Sequence, residues 1–354
     1  MKKYSLIAIF ILIGITPLFA SDPLSTEIAK WKEFVRTNPA TDEDWTSLKQ
    51  VLEPVIERAE IEVTKGRRFS ALHLLALVRS NLAASKFLAD HAAEVKEFGL
   101  FEQEWQKVGK SLGPVLNGKQ HLDLNGYPAA VRAVAEVSYS EIKVYYDSSI
   151  EYGKATEPTY GMFYLGSAQG QYDFTQFCKT LRAASTYTPL TIGNFENEIE
   201  SFEDTVLAAY KPPLSIDQHP IFIRVSAMIK QAHELYDAGA YYGALYRYLE
   251  ARYRYFRALE PGQAITADQA AARAQEFEKR FNQNSADNTI GRIFLELGLS
   301  EAQDTTPNTQ GGTNARVLFD DVLPHYFSSI EPAKTKRAVV TPVTTVTLVR
   351  WPYT

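Results

Sequence analysis

The residues of this chain that could do chemistry are few and scattered. His91 and Glu94 are three positions apart, so on a continuous helix they would share one face. That spacing suits a metal ion or an acid–base pair, but a metal site needs three or four convergent ligands. We therefore interpret the pair as part of a solvated helix face, and we predict no metal and no other cofactor.

Motifs of the common enzyme classes are missing from the sequence. His233 and Glu234 are followed by Asp237, where a zinc protease would carry its second histidine. The chain has no Gly-x-Ser-x-Gly, no phosphate-binding glycine loop and no Cys-x-x-Cys-His. The sequence favours a protein that is not an enzyme, and the alternative is an enzyme whose catalytic Glu or Asp is unmarked.

Two arginines project from the apolar side of predicted helices. Arg252 falls within an aromatic stripe of the helix at 240–259, and Arg79 falls among leucines of a helix that begins at 68. A guanidinium in apolar surroundings needs an anionic partner. Each arginine therefore lines a cleft for an acidic or planar ligand, pairs with an internal carboxylate, or extends to the surface. The candidate ligand-binding residues are Arg79, Arg252, Tyr241, Tyr248 and Tyr255.

The first twenty residues have the layout of a cleavable signal peptide. Lys2 and Lys3 precede an apolar run at 4–15, and a plausible cleavage site follows Ala20. About twelve apolar residues are too few to cross a bilayer, which needs roughly 20. We expect residues 1–20 to be removed, leaving a periplasmic or secreted protein without a membrane span.

Charge and cysteine content exclude several classes of protein. The formal net charge is −5, and it becomes −7 when Lys2 and Lys3 are removed. Nucleic acid is therefore excluded as a partner, because its binding depends on clustered Lys and Arg. Cys178 is the only cysteine, so the chain forms no internal disulfide, and we predict a buried thiol. No cysteine follows the cleavage site, so a lipoprotein is excluded as well.

Helical periodicity runs through nearly the whole chain and predicts an all-α fold. The polar residues at 41–44 are typical of a helix start, and breaks rich in Gly, Pro and Asn separate the later helices. We predict an N-terminal helical region at 21–126, a C-terminal helical region at 127–331 and a short extended tail at 332–354, which is rich in Val and Thr. Besides the helix that follows 41–44, the predicted helices lie near 24–36, 68–98, 99–112, 127–152, 158–183, 191–210, 217–237, 240–259, 266–283, 287–298 and 313–328.

One segment recurs within the chain. Residues 56–79 and 229–252 align without a gap at an offset of 173, and each reads as a helix, a glycine and a second helix. The identical pairs are Ile56/Ile229, Ala59/Ala232, Gly66/Gly239, Ala71/Ala244, Leu72/Leu245 and Arg79/Arg252. We expect two helical hairpins that superpose, produced either by duplication or by convergence on a common pattern.

The second of these segments resembles a tetratricopeptide repeat. The residues at that family's preferred spacing are Ala232, Gly239, Tyr241, Ala244, Tyr248 and Ala251. The resemblance covers residues 229–258 and, more weakly, 56–85, where Arg68 stands in the place of Tyr241. It implies antiparallel helical hairpins stacked into an array and, by analogy, the binding of a protein or peptide.

These observations favour an exported, non-enzymatic binding or scaffold protein of the bacterial envelope that engages a peptide or protein through a groove. The alternative is an envelope hydrolase that acts on cell-wall material, and a third is a purely structural, oligomer-forming protein. A carboxyl group with a raised pKa in a cleft would favour the hydrolase, whereas a groove lined by Tyr and Arg without one would favour binding. The sequence predicts no particular oligomeric state.

Overall fold

A computed structural model gives the fold as all-α, which confirms the predicted class. It describes residues 22–38, 43–92, 94–119, 122–155, 158–182, 188–283, 285–304 and 310–330. Over these ranges there is no strand, and the only extended pairing is an isolated parallel bridge between Thr188 and Ala286. The predicted signal peptide and the predicted extended tail lie outside the described residues.

The helices follow the predicted series closely. They are α1 (Pro23–Thr37), α2 (Glu43–Thr64), α3 (Arg68–Asp90), α4 (Phe98–Leu116), α5 (Ala129–Ala155), α6 (Pro158–Cys178), α7 (Glu196–Ala209), α8 (His219–Asp237), α9 (Tyr241–Leu259), α10 (Ala267–Asn282), α11 (Thr289–Gln303), α12 (Gly311–Val317) and α13 (Leu323–Ile330). One π-helical turn (Leu318–Val322) joins α12 to α13, and short 3₁₀ turns lie at Glu94–Lys96 and Ile216–Gln218.

The helix ends predicted at 98, 183, 191 and 298 are off by five residues or more, and local side-chain contacts explain those at 98 and 191. The helix predicted at 68–98 ends at Asp90, because the backbone of His91 leaves the helical conformation and its ring stacks on Phe87. The helix predicted from 191 begins at Glu196, whose backbone N–H binds the Asn194 side chain at 3.1 Å. Neither helix end carries a Pro, and local side-chain contacts set both.

The two predicted helix–glycine–helix units are present. Gly66 lies between α2 and α3, and Gly239 lies between α8 and α9, with φ of +77° and +76°. In each turn the glycine N–H binds the carbonyl three residues back, and the next N–H binds the carbonyl five residues back. This is a Schellman turn, which favours glycine because other residues are strained at positive φ. The alanines shared by the two segments, Ala59, Ala71, Ala232 and Ala244, are all fully buried.

The correspondence extends well beyond the two hairpins. In the first half of the chain (α1–α6), α1 packs on α2 and α3, and α4 packs on α5 and α6. In the second half (α7–α13), α7 packs on α8 and α9, and α10 packs on α11 and α12. The boundary predicted at 126 falls inside the first half, between α4 and α5, which pack against each other. The two halves therefore repeat one order of packing.

The two halves also contact each other through equivalent helices. Helix α3 packs against α11 of the second half, and α9 packs against α5 of the first. His73 and Tyr246, which are equivalent at the offset of 173, hydrogen-bond each other through Nδ1 and the hydroxyl at 2.7 Å. Burial lowers the pKa of His73 to about 4, so this imidazole is neutral near pH 7. The two hairpins therefore meet at equivalent positions of α3 and α9.

A second internal repeat links α5 to α11. Both helices carry Arg-x-x-x-Glu-x-x-x-Ser-Glu, beginning at Arg132 and Arg292, which are 160 positions apart. The hairpins repeat at the larger offset of 173. The chain between the second hairpin and α11 is therefore shorter than the chain between the first hairpin and α5. No single offset aligns both segments.

Candidate functional site

A cleft of about 310 Å³ lies where the two halves meet. Helices α3, α5 and α6 of the first half and α8 and α9 of the second form its walls. The charged residues that line it are Glu141, Arg224, Arg247, Glu250 and Arg254. The size is at the lower end of the range for ligand pockets, which favours a small molecule or one end of a chain over a folded domain.

Glu141 is the carboxylate at the centre of this cleft. Its Oε1 accepts hydrogen bonds from Arg247 Nη2 at 2.5 Å and Gln231 Nε2 at 3.1 Å. Its Oε2 accepts one from Gln171 Nε2 at 2.5 Å. Burial raises the pKa of Glu141, and the neighbouring Arg247 only partly opposes that effect. The carboxyl group is thus costly to ionise and is held in place by three donors from three helices.

Glu250 behaves in the opposite way. It is 1% exposed, and burial by itself would raise its pKa. Arg247 and Arg254 outweigh burial and lower the pKa of this carboxyl to about 2. Arg247 Nη1 binds Oε2 at 2.8 Å, and Arg254 binds Oε1 through Nε and Nη2 at 3.2 and 3.0 Å. Glu250 is therefore ionised and fully engaged by arginines.

The arginines of the cleft keep donors that nothing in the described part of the chain accepts. Arg247 Nε is buried and has no hydrogen-bond partner there. Arg224 is exposed at the mouth and pairs with no described carboxylate. Arg254 uses two of its three nitrogens on Glu250. The cleft thus presents more N–H donors than its own carboxylates satisfy.

The counterpart carboxylate on α11 has both oxygens bound by side chains of the protein. Glu301, the counterpart of Glu141, is 5% exposed. Its Oε1 accepts from Arg58 Nη1 at 2.9 Å and from the Tyr253 hydroxyl at 3.3 Å, and its Oε2 accepts from Asn314 Nδ2 at 2.8 Å. Glu301 ties helices together, as a buried structural carboxylate does.

A row of tyrosines leads from the cleft to the surface. Tyr145 lines the cleft, and its ring centre is 6.2 Å from that of Tyr164. Tyr164 stacks on Tyr152 with ring centres 4.7 Å apart. Tyr152 is 44% exposed, so the row reaches solvent at the ends of α5 and α6. Amphipathic rings in such a row suit contact with a chain that extends out of the cleft.

The two arginines singled out by sequence are both buried, but in different surroundings. Arg252 forms a two-pronged pair with Asp321, with Nε to Oδ2 at 3.0 Å and Nη2 to Oδ1 at 2.6 Å. Arg79 lies over the Trp31 ring at 4.2 Å, and its Nε is 3.4 Å from Glu27 Oε1 without a hydrogen bond. Both arginines thus face an internal carboxylate, Arg252 through two hydrogen bonds to Asp321 and Arg79 as an ion pair with Glu27. The same Glu27 Oε1 accepts the Trp31 N–H at 2.6 Å.

The other predicted site residues lie away from the central cleft. Tyr248 and Arg252 line a separate hollow of about 190 Å³, together with Phe202 and His325. Tyr255 is 1% exposed and packs on Phe202. Tyr241, the first residue of α9, packs on the ring of Tyr236. The five candidate residues therefore do not form one site.

The His91–Glu94 pair does not share a helix face, because α3 ends before it. His91 Nδ1 binds the Phe87 carbonyl oxygen at 2.8 Å, and its Nε2 is 3.3 Å from Glu104. Glu94 lies in the following 3₁₀ turn. Nowhere in the described ranges do three or more His, Cys, Asp or Glu side chains converge as a metal site would require.

Sequence reasoning missed the central cleft. Arg247, Glu250 and Arg254 have the spacing of a water-facing side of α9, but that side faces the cleft. Glu141 and Gln231 carried no sequence signal of their own. The repeated Arg-x-x-x-Glu-x-x-x-Ser-Glu was the available signal, since it ends on Glu141 and Glu301.

No family model, no curated protein and no solved structure matches this chain. Within the described ranges, no helix is both long and apolar enough to cross a membrane. The function has to be argued from the site itself.

Proposed function

We propose that the protein is an exported, non-enzymatic binding or scaffold protein of the bacterial envelope, and that a segment of a peptide or protein enters the central cleft. The observation that carries this proposal is the surplus of hydrogen-bond donors on Arg224, Arg247 and Arg254. Buried polar groups are normally satisfied, so an unpartnered guanidinium nitrogen in a cleft favours a ligand that completes it.

The walls of the cleft suit a peptide. Asn81, Gln171 and Gln231 offer amide oxygens that can accept from a peptide backbone, whereas the two N–H groups of Gln231 are already bound to Ser140 and Glu141. Leu77 and Met228 add apolar surface for a side chain. A longer peptide that leaves the cleft would contact the tyrosine row from Tyr145 to Tyr152 on its way to solvent. The resemblance to tetratricopeptide hairpins adds support by analogy only.

The state of the two carboxylates argues for binding over catalysis. A general base needs a free oxygen within reach of the proton that it removes. Both oxygens of Glu250 are held by arginines, and both oxygens of Glu141 already accept hydrogen bonds. Most of the hydrogen-bonding capacity of both carboxylates is therefore already used within the protein.

One observation favours the alternative, an envelope hydrolase acting on cell-wall material. Glu141 combines a raised pKa with a place in the cleft, as a catalytic acid would. Glu141→Gln decides between the two, because it removes the acid and keeps the shape. A cell-wall hydrolase would lose its activity on isolated cell-wall polymer, whereas a binding protein shows no such activity before or after the change.

The proposed function is tested by filling the mouth of the cleft. Ala227 is exposed on α8 and lines the cleft, so Ala227→Trp blocks entry without disturbing the core. Ala258→Trp, at an exposed position of α9 outside the cleft, is the matched control. Partners captured from the periplasm by the wild type and by Ala258→Trp should be lost with Ala227→Trp. Capture of the same partners by all three proteins would show that the cleft is not the binding site.

A further inference from the structure

We infer that the cleft recognises a carboxylate on its peptide ligand, so that the partner segment is acidic. This inference rests on the proposed function and names the chemistry that the cleft selects. The starting point is the balance of charge. Three guanidinium groups, on Arg224, Arg247 and Arg254, face two carboxylates, on Glu141 and Glu250. An acidic group balances that excess, and a basic group adds to it.

The arrangement of the arginines suits a carboxylate in particular. Arg247 lies between Glu141 and Glu250 and binds one with each terminal nitrogen, which fixes the plane of its guanidinium. Its Nε is the remaining donor, and it is buried. Arg224 at the mouth has a free guanidinium fork, whose geometry matches the two oxygens of a carboxylate. A ligand carboxylate at the mouth therefore meets Arg224 first and can be drawn inward.

The repeated architecture supplies an internal control for this argument. At the offset of 173, the counterparts of Arg224, Arg247 and Arg254 in the first hairpin are Val51, Leu74 and Asn81. That hairpin has the same turn and the same packing without any of the three charges. Arg247 and Arg254 accompany Glu250, whose counterpart in the first hairpin is Leu77. Arg224 pairs with no described carboxylate, so its place at the cleft is the one that points to a ligand.

The test uses three capped pentapeptides that differ only at the central residue, which is glutamate, glutamine or lysine. Binding to the full mature protein is measured by titration calorimetry, with inorganic phosphate as a fourth titrant. We expect the glutamate peptide to bind at least about tenfold more tightly than the glutamine peptide, and the lysine peptide to bind least. The affinity for the glutamate peptide should fall as salt is added.

Two variants assign the effect to the cleft. Arg224→Gln should weaken glutamate-peptide binding by about tenfold or more, and because Arg224 has no described partner, folding should be unaffected. Arg257→Gln removes one charge from an exposed position of α9 outside the cleft and should leave binding unchanged.

Each other result overturns the inference in a recognisable way. Equal binding of the glutamate and glutamine peptides would reject carboxylate recognition and leave the proposed function standing. Phosphate that competes with the glutamate peptide at equal concentration would assign the arginines to a free oxyanion instead of a peptide. Capture of the same partners by Ala227→Trp as by the wild type, tested separately, would reject the proposed function itself.

Discussion

Glu136 and Glu296 each cap a helix that belongs to the other half of the chain. Glu136 Oε2, on α5, accepts the Gly243 N–H of α9 at 2.7 Å. Glu296 Oε2, on α11, accepts the Phe69 and Ser70 N–H groups of α3 at 2.8 and 2.9 Å. A Cβ at Gly243 would lie 2.9 Å from the Glu136 Cβ, so glycine permits the close approach. These exchanged caps satisfy helix N-termini inside the core.

The caps predict an unusual dependence of stability on pH. Burial raises the pKa of both carboxyls to about 7, from an ordinary value near 4.5. Between these values the folded state holds more protons than the unfolded state, so the free energy of unfolding falls as pH rises. From about pH 5 to about pH 8, we expect a loss on the order of 2–3 kcal/mol for each carboxyl.

Urea unfolding at both pH values checks this, with Glu136→Gln/Glu296→Gln as the comparison. The double variant cannot ionise at these positions, so its stability should change less with pH. His73 titrates in the opposite direction, since its lowered pKa removes stability as pH falls from about 6.5 to about 4, but it is present in both proteins. Parallel pH profiles for the two proteins would reject the role assigned to the caps.

Arg252 is predicted to be structural. Arg252→Ala leaves the Asp321 carboxylate without its partner and removes the contact with Phe202, so the free energy of unfolding should fall by about 3–5 kcal/mol. Replacing both charges, as in Arg252→Met/Asp321→Leu, should lower the free energy of unfolding by clearly less. Peptide binding should be unaffected, because Arg252 lies outside the central cleft. An unfolding free energy equal to that of the wild type would contradict the structural role.

Cys178 should be unreactive in the folded protein. Its side chain is fully buried, and burial raises the pKa of the thiol, with Arg79 opposing only in part. The thiolate is the reactive form, so a disulfide reagent should modify the folded protein far more slowly than the unfolded protein. Equal rates with and without concentrated urea would show that the thiol is accessible.

Export remains a prediction from the sequence. We expect the protein isolated from the periplasm to begin at or near Ser21, because the preceding residues have the layout of a signal peptide. N-terminal sequencing measures this directly. Finding Met1 on the soluble protein would contradict it.

The sequence predicts the helices well because apolar spacing records which side of each helix is buried. Its errors at Asp90 and Glu196 arise where a stacking ring or an Asn side chain ends or starts a helix without a Pro. The contacts between helices of the two halves were harder to predict than the helices themselves. The hairpins repeat at an offset of 173, whereas the matching segments of α5 and α11 repeat at an offset of 160. The cap residues Glu136 and Glu296 therefore appeared unrelated.

The cleft was not predictable from local patterns for a different reason. Its walls come from five helices, so residues as distant as Glu141 and Arg247 meet only in the folded chain. A polar sector on α9 has the same spacing whether it faces water or a polar cleft. Periodicity alone cannot separate these two cases.

Photo-crosslinking in intact cells tests the central claim most directly. A photoreactive residue is placed at position 227, at the mouth of the cleft, and at position 258 as the control. We expect a defined crosslinked partner from position 227 only, with an acidic segment at the crosslink identified by mass spectrometry. No crosslink from position 227, or the same products from both positions, would contradict the claim that the cleft is the binding site.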